Sequence, residues 1–103
     1  MRVISRTPFI EAQKRFPNER DAIQGVYLLL KSLHVKTPLE LKQYFPSLDR
    51  FKYRDRWWCI DIGGNNVRLL AFIEFSMGHC YIKHIVSHTE YDKLTDYYRR
   101  NRA

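Results

Sequence analysis

At 103 residues, with 45% hydrophobic and 15% aromatic side chains, the chain can fill one modest core, cannot fill two, and is too apolar for disorder. A formal charge of +7 points to a polyanionic partner, either nucleic acid or an acidic protein. No apolar run approaches the roughly 18 residues of a membrane span, and we read 1–103 as a single domain.

Met1 to Ser5 suits a short strand, because Val3 and Ile4 lie between polar neighbours. The stretch is too short and too polar for a signal peptide, which leaves the cytoplasm as the expected location. Thr7-Pro8 predicts a helix start, with Thr7 as N-cap and proline where its missing donor does no harm. Phe9, Ala12 and Phe16 give that helix an apolar stripe, and Pro17 stops it. Asn18 is placed to cap a longer helix whose Ile23, Val26, Tyr27 and Leu30 share one face, extended by Leu33. Thr37-Pro38-Leu39-Glu40 reads as a capping box opening a short helix that Pro46 terminates. Each helix has one apolar side and needs a sheet to cover.

That sheet is predicted from Trp57 onward. Trp58, Ile60 and Ile62 alternate with Trp57, Cys59 and Asp61, and Val67, Leu69, Ala71, Ile73 and Phe75 alternate with Arg68, Leu70, Phe72 and Glu74. Period two with β-branched and aromatic enrichment argues for strands. Cys80, Ile82 and Val86 continue the apolar side and Tyr81 and Lys83 the polar one, although the same pattern puts His84 among the apolar positions and Ile85 among the polar. Gly63-Gly64-Asn65-Asn66 and Ser76-Met77-Gly78 are hairpin turns, too short for parallel crossovers, so the strands form an antiparallel meander. Ahead of them, Phe51-Lys52-Tyr53-Arg54-Asp55-Arg56 interleaves cations with rings. This suits RNA, whose phosphates take the charge while bases stack, and equally suits a charge-protected edge strand. Ser87-His88-Thr89-Glu90 is a second capping box. It sets His88 at the first position of a final helix and Tyr91 one turn in, with Leu94 and Tyr97 or Tyr98 toward the body of the protein, before the basic tail Arg99-Arg100-Asn101-Arg102.

One sheet face reads as core. The other carries Trp57, Asp61, Arg68, Phe72, Tyr81 and Lys83, too polar for a second core and too aromatic for an idle surface. No Cys-x-x-Cys pair occurs and His79 and Cys80 fall on alternate faces, so no metal or other cofactor is expected. Cys59 and Cys80 fit small buried side chains in a reducing compartment. Metal-free RNA cleavage needs the 2′-hydroxyl deprotonated, the phosphorane charge stabilised and the 5′-oxygen protonated. Arg68 and Lys83 can supply fixed positive charge, and His88 and Tyr91 are candidate proton carriers or stacking platforms. The positive end of the final helix favours neutral His88, which suits a base. Each residue also has a plainer reading: Arg68 as cross-strand partner of Asp61 or Glu74, Tyr91 packed on the sheet, His88 as an exposed first-turn residue.

Phe45-Pro46-Ser47-Leu48-Asp49, Phe51-Lys52-Tyr53, Gly63-Gly64-Asn65 with Arg68, Cys80-Tyr81-Ile82, and His88 with Glu90-Tyr91-Asp92 follow one another as in the HigB toxin family. The chain resembles that family from about Thr37 to Leu94, and the first third agrees in length and helical character only. The resemblance implies an α+β, RelE-like fold: N-terminal helices packed on one face of an antiparallel sheet of three or four strands, RNA on the other, and a C-terminal helix. It implies the toxin of a type II toxin-antitoxin system, a ribosome-dependent mRNA endonuclease (mRNA interferase) that inhibits translation and arrests growth. Its partners would be mRNA on the ribosome and a HigA-type helix-turn-helix antitoxin, with operator DNA reached only through the toxin-antitoxin complex. Arg68 falls where RelE-like toxins place the strand arginine that meets the scissile phosphate, and His88 and Tyr91 fall at the sheet-to-helix junction. Many relatives carry paired lysines on the preceding strand. Here Trp57, Cys59 and Asp61 stand there, which leaves the general base open, and Lys52, Arg54, Arg56 or Lys83 would supply the missing charge. Trp57 and Tyr81 complete the expected RNA-binding set. The competing readings are a nonenzymatic basic RNA-binding module and a protein-interaction domain.

Overall fold

Prolines and caps divide the first half of the chain into short helices. In the computed structural model, which describes residues 1–102, β1 (Arg2–Ile4) is followed by α1 (Thr7–Arg15), a 3₁₀ turn (Pro17–Glu19), α2 (Arg20–Ser32) and α3 (Pro38–Tyr44). Then come β2 (Asp49–Arg50), β3 (Trp57–Ile62), β4 (Val67–Glu74), β5 (His79–Ser87) and α4 (His88–Arg100).

The start signals are met in part. Pro8 lies in the first turn of α1, but the N-cap is Arg6 and no side chain caps it, so Thr7 is already helical. Pro17 ends α1 by opening the 3₁₀ turn, which absorbs Asn18 and leaves Glu19 ahead of α2 without a side-chain cap. Thr37 does cap α3 by accepting from the Glu40 amide, while the Glu40 carboxylate takes the Thr37 hydroxyl instead of the backbone. The second box is complete: the Ser87 hydroxyl accepts from the Glu90 amide and the Glu90 carboxylate accepts from the Ser87 amide.

The strands lie in the order β1-β5-β4-β3-β2. β3, β4 and β5 form the expected antiparallel meander. The sheet is wider than three or four strands and mixed, because β1 pairs parallel to β5 and the two-residue β2 borders β3. Helices α1 and α2 cover one face, where Phe9, Ile23 and Leu30 meet Ile60, Leu69, Ile73 and Cys80, all at most 1% exposed. Between β3 and β4, Gly63 and Gly64 take positive φ values of 62° and 75°. A Cβ on Gly63 would also stand 2.8 Å from Glu19 Cγ, so both the turn and the close approach require glycine.

Two corrections follow from β5 and α4. Leu70 pairs with His84 and Ala71 with Ile82, so Lys83 is an extra residue, a β-bulge that resets the alternation. His84 therefore joins Leu70 and Cys59 on the second face, Ile85 pairs with Leu69 on the core side, and Val86 pairs with Arg68 instead of extending the core. The second face is also not free of core. Helix α4 seats Tyr91 and Tyr98 on it, and with Tyr53 and Trp57 they bury Phe51, Cys59 and Leu70. Tyr97 is 57% exposed, so Tyr98 is the tyrosine that faces inward.

Candidate active site

Arg68 is the second residue of β4 and stands directly opposite Asp61 of β3. Its Nε lies 3.3 Å from Asp61 Oδ1, with the two side chains 21% and 30% exposed. Close as they are, that Nε is buried without a hydrogen bond, because the N–H does not aim at the carboxylate. Asp61 thus holds the guanidinium by charge, with Nε buried between them, so any phosphate must be met by the terminal nitrogens. On the α4 side, Arg68 Cζ lies 4.7 Å from the centroid of the Tyr91 ring. Such a contact contributes about 0.5–2 kcal/mol and fixes the plane of the fork. A guanidinium so placed can offer paired donors to a phosphate.

Tyr91 is half-buried, its phenol against the Cys59 thiol. Burial first, then the neighbouring thiol, pushes the phenol well above the ordinary tyrosine range. It stays protonated at neutral pH, and so acts as a donor or a stacking surface, not a base. Burial likewise raises the Cys59 thiol, which removes it as a nucleophile. Cys80, in the main core, is pushed up to about 12 by burial.

From Tyr91 a row of rings runs along the sheet. Phe51 lies 6.2 Å from Tyr91, 5.8 Å from Tyr98 and 5.9 Å from Trp57, centroid to centroid. Trp57 and Tyr98 meet edge-on at 5.1 Å. The Tyr98 hydroxyl is 2.8 Å from His84 Nε2, and Lys83 Nζ sits 5.8 Å from the Trp57 ring. Burial, helped by Lys83, lowers the His84 pKa from 6.5 and favours the neutral imidazole. His84 and Tyr98 are the site residues that sequence reasoning missed. The visible signal was the break in alternation across Lys83, His84 and Ile85.

Among the described residues, no hydrogen bond, ion pair or ring contact joins the other expected residues to Arg68. His88 is exposed at the start of α4, its Nε2 3.6 Å from Asp92 Oδ2 one turn on. His84 and His88 are spaced like a helical ligand pair, but the strand-to-helix junction separates them, and among the described residues no group of three or more metal-ligating side chains gathers. Arg54 lies 4.5 Å from the Tyr98 ring and donates to the carbonyls of Tyr53 and Asn101, clasping the C-terminal end of α4. Arg56 stands between Asp55 and Glu74, 3.7 Å from each. Lys52 is exposed over Tyr53 at 5.6 Å. Tyr81 contacts Phe72 and His79 toward the far end of β5. Phe51 to Arg56 is thus a loop, not an edge strand: Phe51, Tyr53 and Arg54 pack against α4, while Lys52 and Arg56 stay exposed.

A sheet with helices on one face and an arginine-bearing aromatic face crossed by a C-terminal helix is the architecture of a RelE-like toxin. Residues 19–94 match the HigB toxin family, described as the RelE-like toxic component of a toxin-antitoxin system, and the chain belongs to that family. Over 102 residues it is 45% identical to the mRNA interferase HigB of Escherichia coli O6:H1 (strain CFT073), with 99% of each chain covered. Over 99 residues it is 32% identical to the mRNA interferase toxin HigB of Escherichia coli strain K12, covering 96% of this chain and 95% of that one. The mRNA interferase HigB of Shigella flexneri matches to the same extent.

Proposed function

We propose that this protein is an mRNA interferase, a metal-independent endoribonuclease that cuts mRNA on the translating ribosome and so stops protein synthesis. The family, and relatives carrying that name, support the reading. The observation that carries it is the Arg68 guanidinium, outside the helix-covered core and over the Tyr91 ring, with Nε buried beside Asp61 and, among the described residues, no hydrogen bond made by its terminal nitrogens. In this reading Arg68 takes the charge of the phosphorane, Tyr91 donates a proton or stacks on a base, His88 takes the 2′-hydroxyl proton, and Lys83 adds positive field. Lys52 and Trp57 hold the strand nearby, Arg56 and Tyr81 farther along, and Arg54 acts by holding α4 in place. The toxin acts as one domain in the cytoplasm. A HigA-type helix-turn-helix antitoxin neutralises it and carries the complex to operator DNA.

Primer extension on a translated message, with wild type, Arg68→Ala, His88→Ala and Tyr91→Phe, tests the reading. Loss of one preorganised charge-stabilising donor costs about 10²- to 10³-fold in rate, so Arg68→Ala should leave almost no new 3′ ends. Undiminished cleavage by folded Arg68→Ala would remove Arg68 from the mechanism. The Asp61 carboxylate beside Arg68 favours a second reading, a nonenzymatic RNA-binding module, because a compensated cation serves as a structural tie. That module would bind RNA with steep salt dependence and cut nothing even with ribosomes supplied.

A further inference from the structure

From Arg68 to Glu74, β4 rises about 20 Å along the sheet. Beyond that far end a hollow of about 540 Å³ opens between the N-terminus, the segment after α2 and the β4–β5 turn. Arg2, Lys31 and Lys36 stand around it with the imidazoles of His34 and His79, and no Asp or Glu lines it. Among the described residues none of the three cations forms an ion pair; Lys14, Arg20 and Lys42 form none either, but those are scattered, whereas Arg2, Lys31 and Lys36 share one hollow with no carboxylate in its lining. Glu74, on the neighbouring strand, is turned to Arg56. The fold itself collects these charges: β1 pairs Arg2 with His79, and the Met1 amino group donates to the Leu33 carbonyl, tying β1 to the segment that carries His34 and Lys36. Uncompensated like charges around one hollow repel one another, and a polyanion relieves that repulsion.

We propose that this hollow is a second RNA-binding site, one that takes the phosphate backbone of double-helical RNA. Single strands are held by rings on which bases stack. Here Phe75 is half-buried and locked edge-on to Trp58 at 5.8 Å, and His79 stands edge-on to Tyr81 at 6.2 Å, which leaves His34 as the one exposed ring at the rim, too few for a run of stacked bases. Duplex RNA is held through phosphates and sugars instead, which unpaired lysines and an arginine match. A protein partner fits less well, because interface cores are poor in lysine and rich in aromatic side chains. This rim exposes one large apolar side chain, Met77. The site is separate from Arg68, and binding there does not depend on whether any strand is cut.

The test is fluorescence anisotropy on a 2′-O-methylated RNA duplex, which keeps the A-form backbone and offers no 2′-hydroxyl to attack. Wild type is compared with Arg2→Gln/Lys31→Gln/Lys36→Gln and with Lys14→Gln/Arg20→Gln/Lys42→Gln, a control that removes equal charge elsewhere. Each phosphate contact contributes about 0.7–0.9 to the slope of log affinity against log salt, so the hollow variant should lose about two from the slope and the control much less. Thermal melts matched to wild type establish that both fold. Equal losses in the two variants, an equal loss on a single strand of the same length, or displacement of the duplex by polyglutamate of matched charge would each overturn the assignment. Because no cleavage is read, the result stands whether or not Arg68 cuts RNA.

Discussion

Leu69 and Leu70 are neighbours on β4, both fully buried, and they belong to different cores. Leu69 faces α1 and α2 in a cluster that is mainly aliphatic, with Phe9, Tyr27 and Phe45 among its rings. Leu70 faces α4 beside a thiol, beneath rings whose edges carry hydroxyls, an imidazole and cations. The first core excludes water and does nothing else. The second reaches similar burial with side chains that keep a polar end, so Arg68 and Lys83 can be fixed against rings at the boundary with solvent. Burial therefore does not separate structure from function on this sheet; the chemistry of what is buried does.

The contrast can be broken one face at a time. Leu69→Ala should cost about 3–5 kcal/mol, because a tightly packed aliphatic site relaxes little, and Leu70→Ala about 2–3 kcal/mol, because half-buried rings can close on the gap. Urea denaturation measures both, and equal costs would erase the distinction. Arg68→Ala should reverse the pattern, losing about 3–4 kcal/mol of transition-state stabilisation in single-turnover cleavage while folding stability falls by only about 0.5–2 kcal/mol, the worth of the Tyr91 contact. Tyr98→Phe deletes the partner of His84 and should cost about 1 kcal/mol. Because the folded pKa of His84 lies below 6.5, the unfolded chain binds the proton more readily. Its contribution should therefore be constant above pH 6.5 and fall as the pH drops below it, and His84→Asn should flatten that part of the urea-midpoint profile. The smallest effect belongs to Glu90, whose carboxyl the Arg15 guanidinium and the Ser87 cap hold at about 2 instead of 4.5. Wild type should exceed Glu90→Gln by about 0.5–1 kcal/mol above pH 4.5, and the gap should close as pH falls toward 2.

The meander, its hairpins, the Ser87 box and the apolar stripes of α1 and α2 were legible because each is set by local spacing. Two features were not. The bulge at Lys83 costs one residue of register, and nothing in a period-two pattern distinguishes an inserted residue from a polar side chain in the wrong place. His84 therefore read as core. The second core was hidden for a different reason: Phe51, Cys59, Leu70 and Tyr98 come from a loop, two strands and a helix, and no single window contains them. Arg68 and Tyr91 could be named from the sequence, but their contact depends on α4 crossing the face, a tertiary outcome. Arg54 looked like a free cation because its acceptors, the carbonyls of Tyr53 beside it and of Tyr98 and Asn101 near the other end of the chain, carry no side-chain signature.

Lys83 carries one more implication. Since Ile82 already faces Ala71 and His84 already faces Leu70, excising codon 83 would leave a straight ribbon with every remaining partner unchanged. The strand pairing accommodates this residue without giving it a partner on β4. A toxin shortened by that single amino acid should still fold, and comparing its potency with the full-length form would reveal what the extra ammonium group is for.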